Sequence, residues 1–136
     1  SNAFKLYLND VGLLCSKFSL SAQSAISGNR LFTEFKGILS ENYVLQSLRR
    51  QFGDNIFYWT SGNTAEVEFV LQMDKGIVPV EVKSENNVKA KSLSIYRKTY
   101  SPSLSLRFST RNIRKDDDLL NLPLYLADRI SDIHAK

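Results

Sequence analysis

Four side chains carry the chemistry that this sequence offers: Glu41, Glu68, Glu81 and Lys83. Glu81-Val82-Lys83 sets an acid and a base two residues apart, so on an extended strand they share one face while Val78, Val80 and Val82 take the other. Glu66 and Glu68 alternate in the same way with Val67, Phe69 and Leu71. A two-residue turn at Asp74-Lys75 brings Glu68 opposite Glu81 and Glu66 opposite Lys83; a three-residue turn through Gly76 needs a bulge to keep that register. Two directly opposed carboxylates repel one another, and a divalent cation between them removes the conflict. Hard cations such as Mg²⁺ take oxygen ligands and retain waters. Beside such a cation, Lys83 would position a water or stabilise charge developing on a phosphate. The plainer alternative is a Glu-x-Lys pair on a solvent-facing strand edge; the apolar flanks of Val78-Pro79-Val80-Glu81-Val82-Lys83 set this pair apart.

Glu41 comes from a helical pattern. At about 100° per residue, Gly37, Ile38, Val44, Leu45, Leu48 and Phe52 all fall within about 60° of it, which puts Glu41 at the centre of an apolar stripe. An ionised carboxylate there is costly unless it is paired, hydrogen-bonded or bound to a metal. Either the helix rotates so that Glu41 reaches the edge and meets an arginine, or the carboxylate is held inward for use.

These residues need particular elements to position them. Phe4–Leu8 reads as a short strand, Val11 to about Phe18 as a short helix, and the Ser-, Ala- and Gly-rich 19–29 as a mobile loop. A helix spans about Leu31 to Phe52 and stops at Gly53-Asp54-Asn55. Ile56–Trp59, Glu66–Met73 and Ile77–Lys83 read as strands, separated by turns at Ser61-Gly62-Asn63 and Asp74-Lys75-Gly76. Val88–Tyr100 reads as a helix stopped before Pro102, Leu104–Thr110 as a strand, Asp116–Asp118 as a loop or solvated helix cap, and Leu124–Ile133 as a closing helix. Helix, three strands, helix, strand predicts an α/β domain with a central mixed β-sheet flanked by helices. Tyr58-Trp59 is expected in core and sheet packing rather than as a base-stacking platform.

Composition narrows the chemistry. Ser1-Asn2-Ala3 reads as an expression-tag scar, and the remainder of 136 residues, 4–136, suits one domain with one core. The opening at Phe4, with no initiator Met before it, points to a domain cut from a longer protein. One Cys (Cys15) and one His (His134) leave no material for an intrachain disulfide, a cysteine-rich zinc site or a His-dependent triad, and leave Ser40 and Cys15 without a base. No apolar run approaches a membrane span, no signal peptide is visible, and a reducing cytoplasm is the expected compartment. Net charge is +4. Between Lys83 and Lys115 lie Lys89, Lys91, Arg97, Lys98, Arg107, Arg111 and Arg114 with Glu85 as the only acid, which suits either a solvated face or a phosphate-binding surface.

The succession of an inward helix Glu, a strand acid and Glu-x-Lys on the following strand resembles the PD-(D/E)xK nuclease superfamily. More closely, the chain is similar to an uncharacterised domain found C-terminal to a class of prokaryotic AAA-type ATPases. The segments that carry the likeness are 5–14, Gly37–Asn42, Phe57-Tyr58-Trp59, Ala65–Val70, Val78–Lys83 and Leu122–Ala127. The resemblance implies a restriction-endonuclease-like three-layer sandwich and Mg²⁺- or Mn²⁺-dependent hydrolysis of phosphodiesters in nucleic acid. It makes Glu41 the helix carboxylate, Glu68 and Glu81 the strand acids, Lys83 the lysine, and all three glutamates metal ligands. It also implies a covalently linked ATPase in the parent protein; this chain itself has no Gly-x-x-x-x-Gly-Lys-Ser/Thr loop. Glu68 stands where that group more often has Asp, and Thr60 where an arginine more often follows Tyr-Trp. The alternative function is a catalytically inactive module of the same fold that binds nucleic acid or a protein for the ATPase.

Overall fold

A computed structural model of the chain describes residues 5–21, 23, 30–62, 64–74, 76–84 and 91–133. Phe4 and most of the 19–29 loop lie outside the described residues. Helix α1 spans Val11–Lys17, and its first turn is capped by Asp10, whose carboxylate accepts from the Leu13 N–H at 3.0 Å. Helix α2 spans Arg30–Phe52 and ends at Gly53, which takes the left-handed conformation (φ 62) of a helix stop.

Strands β1 (Ile56–Ser61), β2 (Ala65–Met73) and β3 (Gly76–Lys83) form an antiparallel meander. Helix α3 (Lys91–Tyr100) then crosses over, so that β4 (Ser105–Ser109) runs parallel to β3. The described part of the expected 88–100 helix is this segment. Strand β6 (Leu119–Pro123) lies parallel to β4 and carries β5 (Arg114–Asp116) antiparallel at the edge. The result is an α/β fold with a six-stranded mixed sheet in the order β1-β2-β3-β4-β6-β5.

Apolar alternation assigns the two faces. Val44 and Leu48 of α2 share one core with Phe69, Leu71, Val78, Val80, Val82, Leu106 and Phe108, closed by Ala127 and Ile130 of a 3₁₀ helix, Leu124–Asp132. Tyr96 of α3 packs with Val67 and Val70, and Leu93 of α3 with Leu119. No helix among the described residues is long and apolar enough to cross a membrane.

Four expectations change. Residues 5–8 are not a strand; Asn42, buried on α2, bonds both the N–H (2.9 Å) and the C=O (3.0 Å) of Leu8, standing in for a strand partner. Asp116–Asp118 is no helix cap: Asp116 ends β5 and Asp117-Asp118 is the hairpin turn into β6, with Asp117 left-handed (φ 54), a conformation Asp tolerates. The closing helix is 3₁₀. Finally, Val67 faces away from Phe69 and Leu71, because β2 bulges: Ile56↔Leu71 and Phe57↔Val70 are followed by Trp59↔Val67, leaving Glu68 and Phe69 together against Tyr58.

Candidate functional site

The bulge sits where the sheet forks. Pairing of β2 with β3 runs from Met73↔Gly76 to Phe69↔Val80, so the turn register is the two-residue one, and the pairing stops one step before Glu68 and Glu81. Beyond that point β2 stays with β1, down to Ser61↔Ala65, while β3 follows β4 through Lys83↔Ser109. The Glu66 N–H donates to Ser92 Oγ of α3 at 3.3 Å. Glu68 and Glu81 therefore stand on the two inner edges of a fork, opposed in register but no longer held by a ladder.

Lys83 bridges them. Its Nζ lies 3.6 Å from Glu81 Oε1 and 4.0 Å from Glu68 Oε1. The other oxygen of Glu81 accepts from Arg107 Nε at 3.2 Å, and Glu81 is only 1% exposed. Arg107 is the cross-strand neighbour of Glu81 in the parallel β3–β4 pairing. The guanidinium and the ammonium together compensate a carboxylate that could not otherwise be buried ionised.

Glu68 is compensated less. Its side chain is 10% exposed, and its Oε2 is buried with no hydrogen-bond partner among the described residues. Burial pushes its carboxyl up to about 7; its own backbone N–H and Lys83 pull it down, and the charges of Glu81 and Glu41 add to the rise. A buried carboxyl with an oxygen that has no hydrogen-bond partner among the described residues is a group that a nearby cation would stabilise.

Glu41 approaches from α2. The buried side of that helix runs through Ser40, Val44, Ser47 and Leu48. At about 100° per residue its centre is near Val44, which moves Glu41 to the stripe's edge, about 60° away. The buried serines, polar by type, hid that centre. Glu41 does meet a cation there, but it is Lys5 (3.6 Å), which also pairs with Glu66 at 2.7 Å. The Tyr7 hydroxyl donates to Glu41 Oε2 at 3.4 Å, and burial beside Glu41 raises that phenol to about 12.

Of the four expected residues, Glu68, Glu81 and Lys83 lie together at the fork, whereas Glu41 pairs with Lys5 and Tyr7 and bears on Glu68 through its charge. No three of the described His, Cys, Asp or Glu side chains are grouped to cage a metal. Mg²⁺ is ordinarily held by one or two carboxylates, retained waters and the substrate's phosphate, a demand that three grouped acids are not needed to meet.

Three contributors escaped the sequence reading: Lys5, Tyr7 and Arg107. Alternation in β4 put Arg107 on the face of Ser105 and Ser109, but its parallel neighbour depends on a crossover whose register is not written locally. Three of the seven cations between Lys83 and Lys115 stand in ion pairs among the described residues, Arg97 with Asp118, Arg107 with Glu81 and Arg114 with Asp116, which leaves less charge for a phosphate surface than the composition indicated. Tyr58 is 71% exposed, against the expectation of core packing, whereas Trp59 does pack edge-on against Tyr96 and Tyr100 at 5.1 and 6.0 Å.

A family model described as a domain of unknown function (DUF4143) matches residues 36–125, which contain all four residues of the site. Comparison with curated proteins and with solved structures gave no match.

Proposed function

The chain belongs to the DUF4143 family, and from that premise we propose that its fork is a nuclease-type centre for Mg²⁺- or Mn²⁺-dependent hydrolysis of phosphodiester bonds in nucleic acid. The observation that carries the proposal is the buried, partnerless Oε2 of Glu68 beside Glu81 and Lys83. On this reading the helix, the β-meander, the crossover helix and the parallel strand make a restriction-endonuclease-like, PD-(D/E)xK arrangement.

Glu68 and Glu81 would hold the cation, and Glu41 would support it through water. When bound, the cation supplies positive charge to the phosphate and acidifies a coordinated water. Lys83, within reach of both acids, donates to the attacking water and to the oxygen on which charge develops. Water's oxygen forms the new P–O bond, the ester P–O bond breaks, one proton passes from the water to solvent and one reaches the leaving oxygen. Arg107 fixes Glu81, and Lys5 and Tyr7 do the same for Glu41; none of these three needs to touch the substrate. The proposed setting includes a nucleic-acid partner and a covalently linked ATPase in a cytoplasmic parent protein.

One observation favours a second reading, a non-catalytic module of the same fold. Both oxygens of Glu81 already have cationic partners, so this acid is stable without a metal. Cleavage of labelled DNA and RNA under Mg²⁺ and Mn²⁺ separates the two. The enzyme predicts cutting that is lost in Lys83→Ala and Glu81→Gln, with both variants folded. Salt-sensitive binding of nucleic acid without metal, and no cutting by the wild-type chain, assigns the module.

A further inference from the structure

Glu68 also lines a cavity of about 520 Å³ on the α2 side of the sheet, a volume in the range of small-molecule sites. Its inner wall includes Phe69, which is buried, and half-buried Tyr7, with ring centroids 5.9 Å apart. Its outer wall includes Phe57, 58% exposed, and Tyr58. Both belong to β1, an edge strand of the sheet, and both stand at the bulge that places Glu68. Two large rings on an edge strand are left in water at the entrance of a pocket whose wall contains a site carboxylate. Core packing does not account for them, since Trp59, next along the strand, supplies the contact with α3.

We infer that this cavity receives one unpaired nucleobase next to the phosphate attacked at the fork, so that the substrate is a single strand or a base turned out of a duplex. The inference rests on the proposed nuclease reading and names its substrate class. Aromatic faces stack on any base without regard to sequence, and a base still paired inside a duplex cannot present its face to a pocket wall. Two of the wall's three acids are already paired, Glu66 with Lys5 at 2.7 Å and Asp54 with Arg49 at 2.6 Å, so the wall does not call for a cationic organic ligand.

The test uses the whole chain without divalent metal, so that nothing is cut. Oligonucleotides carrying one 2-aminopurine are offered as single-stranded DNA, single-stranded RNA and the matching DNA duplex. Binding of either single strand with quenched fluorescence, and about tenfold weaker binding to Phe57→Ala/Tyr58→Ala, supports the inference; the DNA and RNA arms show which sugar is preferred. Both replaced side chains are exposed, and an unchanged circular dichroism spectrum and melting temperature verifies the variant's fold. Equal binding by the double variant, or preference for the duplex with no quenching, overturns it. A chain that stacks the base yet never cuts under Mg²⁺ or Mn²⁺ would refute the nuclease reading and leave the base pocket standing.

Discussion

Arg107 donates through Nε to Glu81 Oε2 at 3.2 Å, and the two residues are direct neighbours across parallel strands β3 and β4. Glu81 is among the most deeply buried side chains of the protein. Removing one member of such a pair strands the other's charge, whereas replacing both with apolar groups does not. Arg107→Ala is expected to cost about 3 kcal/mol of folding stability, and Glu81→Met/Arg107→Met much less. Urea unfolding of the three proteins checks this; a double variant as unstable as Arg107→Ala would show that the pair is not what Arg107 contributes.

Glu68 sets a pH dependence with a definite sign. Its carboxyl is pushed from an ordinary 4.5 up to about 7, so the fold prefers the neutral acid. The stability from that preference is fully present below about pH 4.5, falls as pH rises, and is gone above about pH 7. The amount is on the order of 3 kcal/mol. Glu68→Gln cannot ionise and should flatten this limb, so the variant gains on the wild type between pH 5 and 8. Parallel stability profiles of the two proteins across that range would rule the assignment out.

A divalent cation should compete with that proton. If Glu68 and Glu81 take Mg²⁺ or Mn²⁺, the metal raises the melting temperature more at pH 8 than at pH 5.5, because binding needs the ionised acid. Metal at roughly a hundred times its Kd adds about 2.7 kcal/mol. Glu68→Gln should abolish the shift. A shift of equal size at both pH values, or one that survives in the variant, would place the metal elsewhere.

Asn42 ties residues 5–8 to α2 through both backbone groups of Leu8. That tether delivers Lys5 and Tyr7 to Glu41. Asn42→Ala is expected to cost about 2 kcal/mol, since two bonds vanish and a partly buried backbone pair is left unmade. Hydrogen exchange should quicken at Leu8 while the β3 and β4 amides stay protected. Unchanged exchange at Leu8 would mean that other contacts hold the segment.

Alternation and turn chemistry in the sequence were enough to place β1 to β4, α2 and α3, and left the turn before β3 between a two-residue form, which sets Glu68 opposite Glu81, and a three-residue one with a bulge; the pairing Met73↔Gly76 selects the first. Those features are local: side-chain period, a glycine stop and turn residues act within a few positions of themselves. The hairpin β5–β6 was missed because Asp116-Asp117-Asp118 is as good a helix cap as it is a turn, and only strand β4 beside it decides between them. The face of Val67 was missed because a bulge has no local signature when its flanks are all apolar or acidic.

The amino-acid sequence by itself singled out Glu41, Glu68, Glu81 and Lys83 as candidates, because each combines charge with apolar surroundings at regular spacing. Tertiary structure alone decided that Glu68 Oε2 has no hydrogen-bond partner among the described residues while each oxygen of Glu81 faces a cation. That difference arises from the fork and the parallel crossover, which bring Arg107 beside Glu81 from 26 positions away and leave the inner edge of β2 without a strand. Burial and long-range register set the charge balance at each carboxylate, and neither is encoded in the spacing of the acids along the chain.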